Sequence, residues 1–108
     1  MKTTEIIMIP VEDQQKAKEF YLSIGFQVIV EAPAAHGETW IQLGLPGQTT
    51  TISLAGFQGI IFETDDIANE IKSLQAKGIE VGNVDTTPWG KFAWLKDLDG
   101  NKLCLHEK

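Results

Sequence analysis

Four side chains in this sequence could bring nitrogen and carboxylate donors together: His36, Glu38, Glu63 and His106. A divalent transition metal takes about three such protein ligands. His36 and Glu38 stand two residues apart, so they share one face if a strand begins early enough. The competing reading puts His36 in a loop and His106 at a fraying end. Glu63 and His106 also form a candidate acid–base pair if their strands bring them face to face. No other catalytic residue can be assigned. Ser53 has no evident His–Asp partner and no Gly-x-Ser-x-Gly turn around it. Cys104 lies between Leu103 and Leu105, a setting that suits a small packing thiol more than a nucleophile. Asp97-x-Asp99-x-Asn101 opens like a calcium loop. Lys108 stands where such a loop needs its glutamate, so the segment reads as a hairpin turn.

The remaining chemistry is aromatic. Trp40, Phe92 and Trp94 would make an apolar surface wide enough for a planar or hydrophobic small molecule. Gln42, Thr51, Ser53 and Lys102 would supply a few orienting hydrogen bonds, with Met8, Ile61 and Cys104 completing the lining. Trp89, ahead of Gly90, is placed as a lid. Core or dimer packing is the alternative for each aromatic.

A plan written twice must position these residues. The segment from Ile7 through Asp13 to Gly25-Phe26-Gln27-Val28 returns 53 residues later as Ile60, Asp66 and Gly78-Ile79-Glu80-Val81. Two units are too few for a stacked array, so the halves should pack together with a pocket between them. The expected elements begin with a strand from Glu5 to Pro10 and a helix capped by Asp13. In that helix Ala17, Phe20, Tyr21 and Ile24 recur at helical spacing, and Gly25 stops it. Strands follow at Phe26 to Val30, Glu38 to Leu43 and Thr49 to Leu54, with a loop from Glu31 to Gly37 and a turn at Leu45 to Gln48. The second copy gives a strand from Gly59 to Glu63 and a helix from Asp66 to Lys77 with Ile67, Ile71 and Leu74 inward. A strand near Ile79 to Val81, a loop from Gly82 to Pro88, and strands at Lys91 to Lys96 and Lys102 to His106 complete it. Asp99-Gly100 turns the last hairpin.

Composition sets bounds. The chain of 108 residues is long enough for one domain with a core, and 43% hydrophobic residues mark it as globular. No apolar run reaches membrane-spanning length, and no signal peptide is legible. A net charge of −6 argues against nucleic acid, and a single cysteine suits the cytoplasm.

Strand parity divides the faces. Helices need an apolar partner surface, which places Ile7, Ile9, Ile52, Leu54, Ile60, Phe62, Leu95, Leu103 and Leu105 beneath them. Ile6, Met8, Trp40, Gln42, Thr51, Ser53, Gly59, Ile61, Glu63, Phe92, Trp94, Lys102, Cys104 and His106 then face the other way.

The chain resembles the vicinal oxygen chelate superfamily, which includes glyoxalase I, bleomycin-resistance proteins and extradiol dioxygenases. Val11-Glu12-Asp13, Phe20-Tyr21 and Ile24-Gly25-Phe26 carry the resemblance in the first copy. Glu63-Thr64-Asp65-Asp66-Ile67, Trp89-Gly90 and Asp97-Leu98-Asp99-Gly100-Asn101 carry it in the second, with Leu98 where the family usually has proline. The resemblance implies an α+β fold in a single domain over 1–108, with module one at 1–56 and module two at 57–108. Each module is β-α-β-β-β; together they form a curved mixed sheet with a concave pocket and helices on the convex face. It also implies a homodimer. The family's metal enzymes place ligands on the first and last strand of each module, positions that fall here on Ile6, Ser53, Gly59 and Cys104. These are poor ligands, so the expectation is no metal and no cofactor. What is expected is a binding protein for a small apolar or aromatic molecule; a metal-dependent lyase, isomerase or dioxygenase is the alternative.

Overall fold

The computed structural model describes residues 1–34 and 37–108. Its elements are β1 (Thr3–Pro10), α1 (Gln14–Ser23), β2 (Gln27–Pro33), β3 (Thr39–Gly44), β4 (Thr51–Ala55), β5 (Gly59–Glu63), α2 (Ile67–Ala76), β6 (Asp85–Thr87), β7 (Gly90–Lys96) and β8 (Lys102–Glu107). The fold is α+β, and the order β-α-β-β-β occurs twice. The residues form two compact units, Ile6–Gln58 and Met1–Glu5 with Gly59–Lys108, so β1 contributes to both. Among the described residues no helix is long and apolar enough to cross a membrane.

In the Ile6–Gln58 unit the strand order is β2-β3-β4-β1. β1 and β4 run parallel and the other pairs antiparallel. The Asp13 carboxylate caps α1 by accepting from the Lys16 N–H at 3.1 Å. Gln14 Nε2 then donates to the Thr39 and Leu54 carbonyls at 2.8 and 2.9 Å, tying the first turn to β3 and β4. Ile41, Leu43 and Leu54 form the core, covered by Val11, Ala17, Tyr21, Phe26 and Ile52. Each fully buried side chain of this kind stabilises by about 1.5–3 kcal/mol. The apolar stripe of α1 is only partly used: Phe20 and Ile24 are 59% and 56% exposed. Phe20 lies about 60° off the Ala17–Tyr21 line, and Ile24 follows the last helical residue and leaves the track. β2 runs on to Pro33, past the expected strand end at Val30.

In the other unit the order is β5-β8-β7-β6, with β5 and β8 parallel. Asp66 caps α2 through the Asn69 N–H at 3.1 Å. Glu107 Oε1 accepts from the Ile67 N–H at 2.8 Å, satisfying a further first-turn donor. Ile67, Leu74, Ala93 and Leu105 make the core, with Ile71, Val81 and Leu95 against it. The strand expected near Ile79 to Val81 does not form; the strand that follows α2 is the short β6 further on. The Ile79 N–H turns back to the Leu74 carbonyl at 3.1 Å and Val81 packs into the core, so the stretch has no ladder to join. The Asp97 turn forms as read: its carboxylate accepts from the Asp99 N–H at 2.8 Å and from the Asn101 N–H and Nδ2 at 2.9 and 2.7 Å. Those bonds, the Asn101 side chain first, hold the Asp97 carboxyl below its usual range.

Candidate functional site

Strand register decides which side chains share a face. In the Ile6–Gln58 unit, Ile6 lies opposite Thr51, Met8 opposite Ser53, and Gln42 opposite Ser53. Trp40, two residues before Gln42, points the same way. Trp40 Nε1 donates to Gln42 Oε1 at 3.0 Å, and Gln42 Nε2 donates to Thr51 Oγ1 at 2.9 Å. The indole is therefore held by its polar edge, leaving its ring for apolar contact. Ser53 is different. It is 0% exposed, and its hydroxyl has no hydrogen-bond partner among the described residues. An unpaired buried hydroxyl costs about 1–3 kcal/mol, which a polar atom brought to it would recover.

The corresponding face of the other unit follows from β5–β8 and β7–β8 pairing. Gly59 lies opposite Lys102, Ile61 opposite Cys104 and Glu63 opposite His106; Phe92 and Trp94 lie opposite His106 and Cys104. Ile61 and Cys104 are buried. Burial pushes the Cys104 thiol up to about 12, with the Glu5 and Asp85 carboxylates adding to the effect and an Ala93 backbone hydrogen bond opposing it. Thiol alkylation runs through the thiolate. Native Cys104 should therefore react with iodoacetamide at pH 7.5 at least about tenfold more slowly than the same residue in urea, read by intact mass; equal rates would remove this assignment.

His106 is the most constrained titratable group. Nδ1 lies 2.7 Å from Glu5 Oε1 and Nε2 lies 2.8 Å from the Trp89 carbonyl, while Phe92 stacks on the ring at 4.2 Å and 3°. A carboxylate and a carbonyl both accept, so both ring nitrogens donate, which defines the imidazolium. Burial pulls the His106 pKa down, but the hydrogen bonds that the ring donates to Glu5 and Trp89 and the Glu5 charge outweigh it, and it sits above its ordinary value. Glu63, the other member of the candidate acid–base pair, lies opposite His106 in the sheet, and its carboxylate meets Lys108 Nζ at 3.2 Å. The residue that sequence reasoning missed is Glu5, a charged side chain inside the apolar stretch Thr3–Pro10.

Trp89 is held by its backbone. Its N–H donates to Thr87 Oγ1 at 3.1 Å, the Thr87 hydroxyl donates to the Gly90 carbonyl at 3.0 Å, and its own carbonyl accepts from His106. The indole itself stands 62% exposed. Glu38 is exposed, and its carbonyl accepts from the Ala34 N–H at 2.8 Å. His36 lies outside the described residues, and with it any His36/Glu38 pair.

Residues 5–105 match the family model of the Glyoxalase/Bleomycin resistance protein/Dioxygenase superfamily. The chain belongs to that superfamily. Uncharacterized protein YetH of Bacillus subtilis (strain 168) is 30% identical over 119 residues, covering 99% of this chain and 99% of that protein. Methylmalonyl-CoA epimerase from Mycobacterium tuberculosis shares the fold with a TM-score of 0.85 at 17% identity, over 97% of this chain and 87% of that one. TnmS3, an antibiotic binding protein from Streptomyces sp. CB03234, is 32% identical over 99% of this chain and 96% of its own, with a TM-score of 0.48.

Superfamily enzymes that use a metal need donors this chain does not supply at the corresponding positions. Ile6 and Gly59 have no donor atom in their side chains, Ser53 offers a neutral hydroxyl, and Cys104 keeps its proton. Such a set does not fit a divalent transition metal. Among the described residues, no three His, Cys, Asp or Glu side chains converge elsewhere to replace it.

Proposed function

We propose that this protein is a metal-independent small-molecule-binding member of the superfamily, holding an apolar or aromatic ligand. The observation that carries the reading is the buried Ser53 hydroxyl, unpartnered among the described residues, on the face that also bears Met8 and the Trp40–Gln42–Thr51 chain. Apolar contact comes from Trp40 and Met8, and orientation from a single buried hydroxyl, which is the mixture expected of a small-molecule site. We extend the proposal to the corresponding face of the other unit, where Ile61, Phe92, Trp94, Lys102 and Cys104 lie. The lone Cys104 fits a cytoplasmic setting.

The first test uses Ser53→Ala. Removing an unsatisfied hydroxyl should leave the unfolding midpoint unchanged or raise it, while affinity for an aromatic ligand found by tryptophan-fluorescence screening falls about tenfold. Unchanged affinity would place the ligand elsewhere. A parallel melt of chelator-stripped protein against nickel, zinc, manganese and ferrous iron tests metal independence. A metal at a hundredfold excess over its dissociation constant adds about 2.7 kcal/mol, a rise of roughly 10 °C or more for a domain this size. Such a rise with any one metal would favour the lyase, isomerase or dioxygenase reading.

A further inference from the structure

Hydrogen-bond direction along the Trp40–Gln42–Thr51 chain constrains what this face can hold. An indole N–H can only donate, so the Gln42 oxygen must face Trp40 and the amide nitrogen must point away from it. That nitrogen spends one hydrogen on Thr51 Oγ1 at 2.9 Å, and its second hydrogen has no partner among the described residues. Ser53 lies directly opposite Gln42 across β3 and β4. Facing side chains on paired strands start about 4.5–5.5 Å apart. The Ser53 hydroxyl is buried and also has no partner among the described residues. An amide hydrogen and a hydroxyl hydrogen are therefore both unspent on two facing residues, within reach of one atom placed between them.

The edge strand adds an apolar wall that strand alternation does not reveal. Val28 pairs with Leu43 and Val30 with Gln42, so Ile29 is an extra residue in a β-bulge. Bulges re-aim side chains, and this one turns Ile29 onto the Gln42 face. A Cβ placed on Gly44, two residues beyond Gln42, would come within 3.3 Å of Ile29 Cδ1 and of Thr51 Cγ2. Ile29 is nevertheless 53% exposed, so most of its apolar surface is unused. From the Trp40 ring to the Ile29 wall beside Gly44 the face runs about 13 Å along β3.

The chemistry of an occupant follows from those two hydrogens. An atom that meets both must accept twice, which a carbonyl oxygen does and an ammonium cannot. A carboxylate also accepts, but the residues paired around Ser53 (Ile6, Met8, Gln42 and Thr51) carry no charge. An anion desolvated there without a cation costs far more than a neutral carbonyl. An alcohol brings a further proton to two groups that already donate. Met8, opposite Ser53 across β1 and β4, is an unbranched side chain able to move aside as a ligand enters. Resting on the binding reading above, we infer that the ligand of this face is a neutral carbonyl compound with an apolar or aromatic body. Its oxygen sits between Ser53 and Gln42, and its body lies between Trp40 and Ile29.

Four probes with the same naphthalene body test this: acetylnaphthalene, isopropenylnaphthalene (a methylene in place of the oxygen), naphthylethanol and naphthoate. Each is titrated into the full chain and followed by methyl and side-chain amide NMR. Saturable binding of the ketone is expected, with shifts on the Met8 and Ile29 methyls and the Gln42 amide. Its affinity should exceed that of the isopropenyl compound about tenfold, with the alcohol between them and naphthoate weakest. Ser53→Ala should lower the ketone to the level of the isopropenyl compound and leave the latter where it was, its fold being checked in the same spectra. Ile29→Ala, at an exposed side chain, should weaken both several-fold and preserve their ratio. Equal affinities for ketone and isopropenyl compound, or tighter naphthoate, would overturn the carbonyl assignment while leaving the binding reading in place. An unchanged affinity in Ile29→Ala would overturn the bulge wall. No saturable shift on this face with any of the four would overturn the inference together with the reading it rests on.

Discussion

Replacing Gly90 by alanine should destabilise the protein by about 3–5 kcal/mol, a large part of the roughly 5–15 kcal/mol that keeps an ordinary domain folded. Gly90 opens β7 with φ at +122°, a region that L side chains rarely adopt. A Cβ there would fall well inside van der Waals contact of the Glu107 carbonyl and 3.0 Å from His106 Nε2. Neither neighbour can retreat cheaply, since Glu107 is strand backbone in β8 and His106 is already held at both nitrogens. Backbone strain of about 1–3 kcal/mol and overpacking of a similar size therefore add. Thermal unfolding of Gly90→Ala should show a midpoint lower by 10 °C or more, or no folded protein at all. A midpoint within about 3 °C of the parent would mean that the Trp89–Gly90 turn is not pinned as described. Gly100→Ala, at a glycine with φ of +83° but open space around it, is the control and should cost far less.

The second large effect concerns Glu5. With His106 and Glu5 side chains 7% and 14% exposed, removing one partner leaves a buried group uncompensated, and Glu5→Ala should cost about 3 kcal/mol. The pH dependence has a defined sign. The folded-state pKa of His106 is raised above its unfolded value of about 6.5. Its contribution is therefore complete below that unfolded value and disappears as pH climbs through the folded one. The parent should lose stability on going from pH 6 upward through the folded pKa, while Glu5→Gln, which keeps an acceptor but not the charge, should flatten that loss. Lys108, whose positive charge opposes the imidazolium, is the other charged group that acts on the ring, and it is itself paired with Glu63, the neighbour of His106 in the sheet. Denaturant unfolding at half-unit pH steps reads this out. Identical slopes for parent and Glu5→Gln would show that the pair carries no proton linkage.

Much of this was legible in the chain, and the boundary is physical. Helix starts were readable because Asp13 and Asp66 act on N–H groups only three residues away. The face shared by Trp40 and Gln42 was readable because the pleat fixes a two-residue period. Glu5 was not, because its partner is 101 residues distant and local pattern carries no such information. The one available signal was a carboxylate set among Thr4, Ile6 and Ile7, where an unpaired charge would be expensive. The Trp89 carbonyl escaped for another reason: backbone atoms leave no mark in residue type. Phe20 and Ile24 misled in the opposite direction, since helical spacing marks a stripe without saying how much of it another surface covers. At Ile79 to Val81, apolar alternation was real, but Val81 went to the core and no neighbouring strand claimed the backbone.

The division of β1 between the units bears on the order of assembly. Ile6–Gln58 is one continuous stretch and needs only contacts within itself. The other unit is interrupted, and its Glu5–His106 bond closes across 101 residues. Loop closure over long separations is entropically costly and slow. During synthesis the continuous unit can condense while the ribosome is still adding α2 and β8, whereas its neighbour must wait for His106 to emerge. The clamp on Trp89 is thus a late event relative to the first unit, set only once β8 has been made.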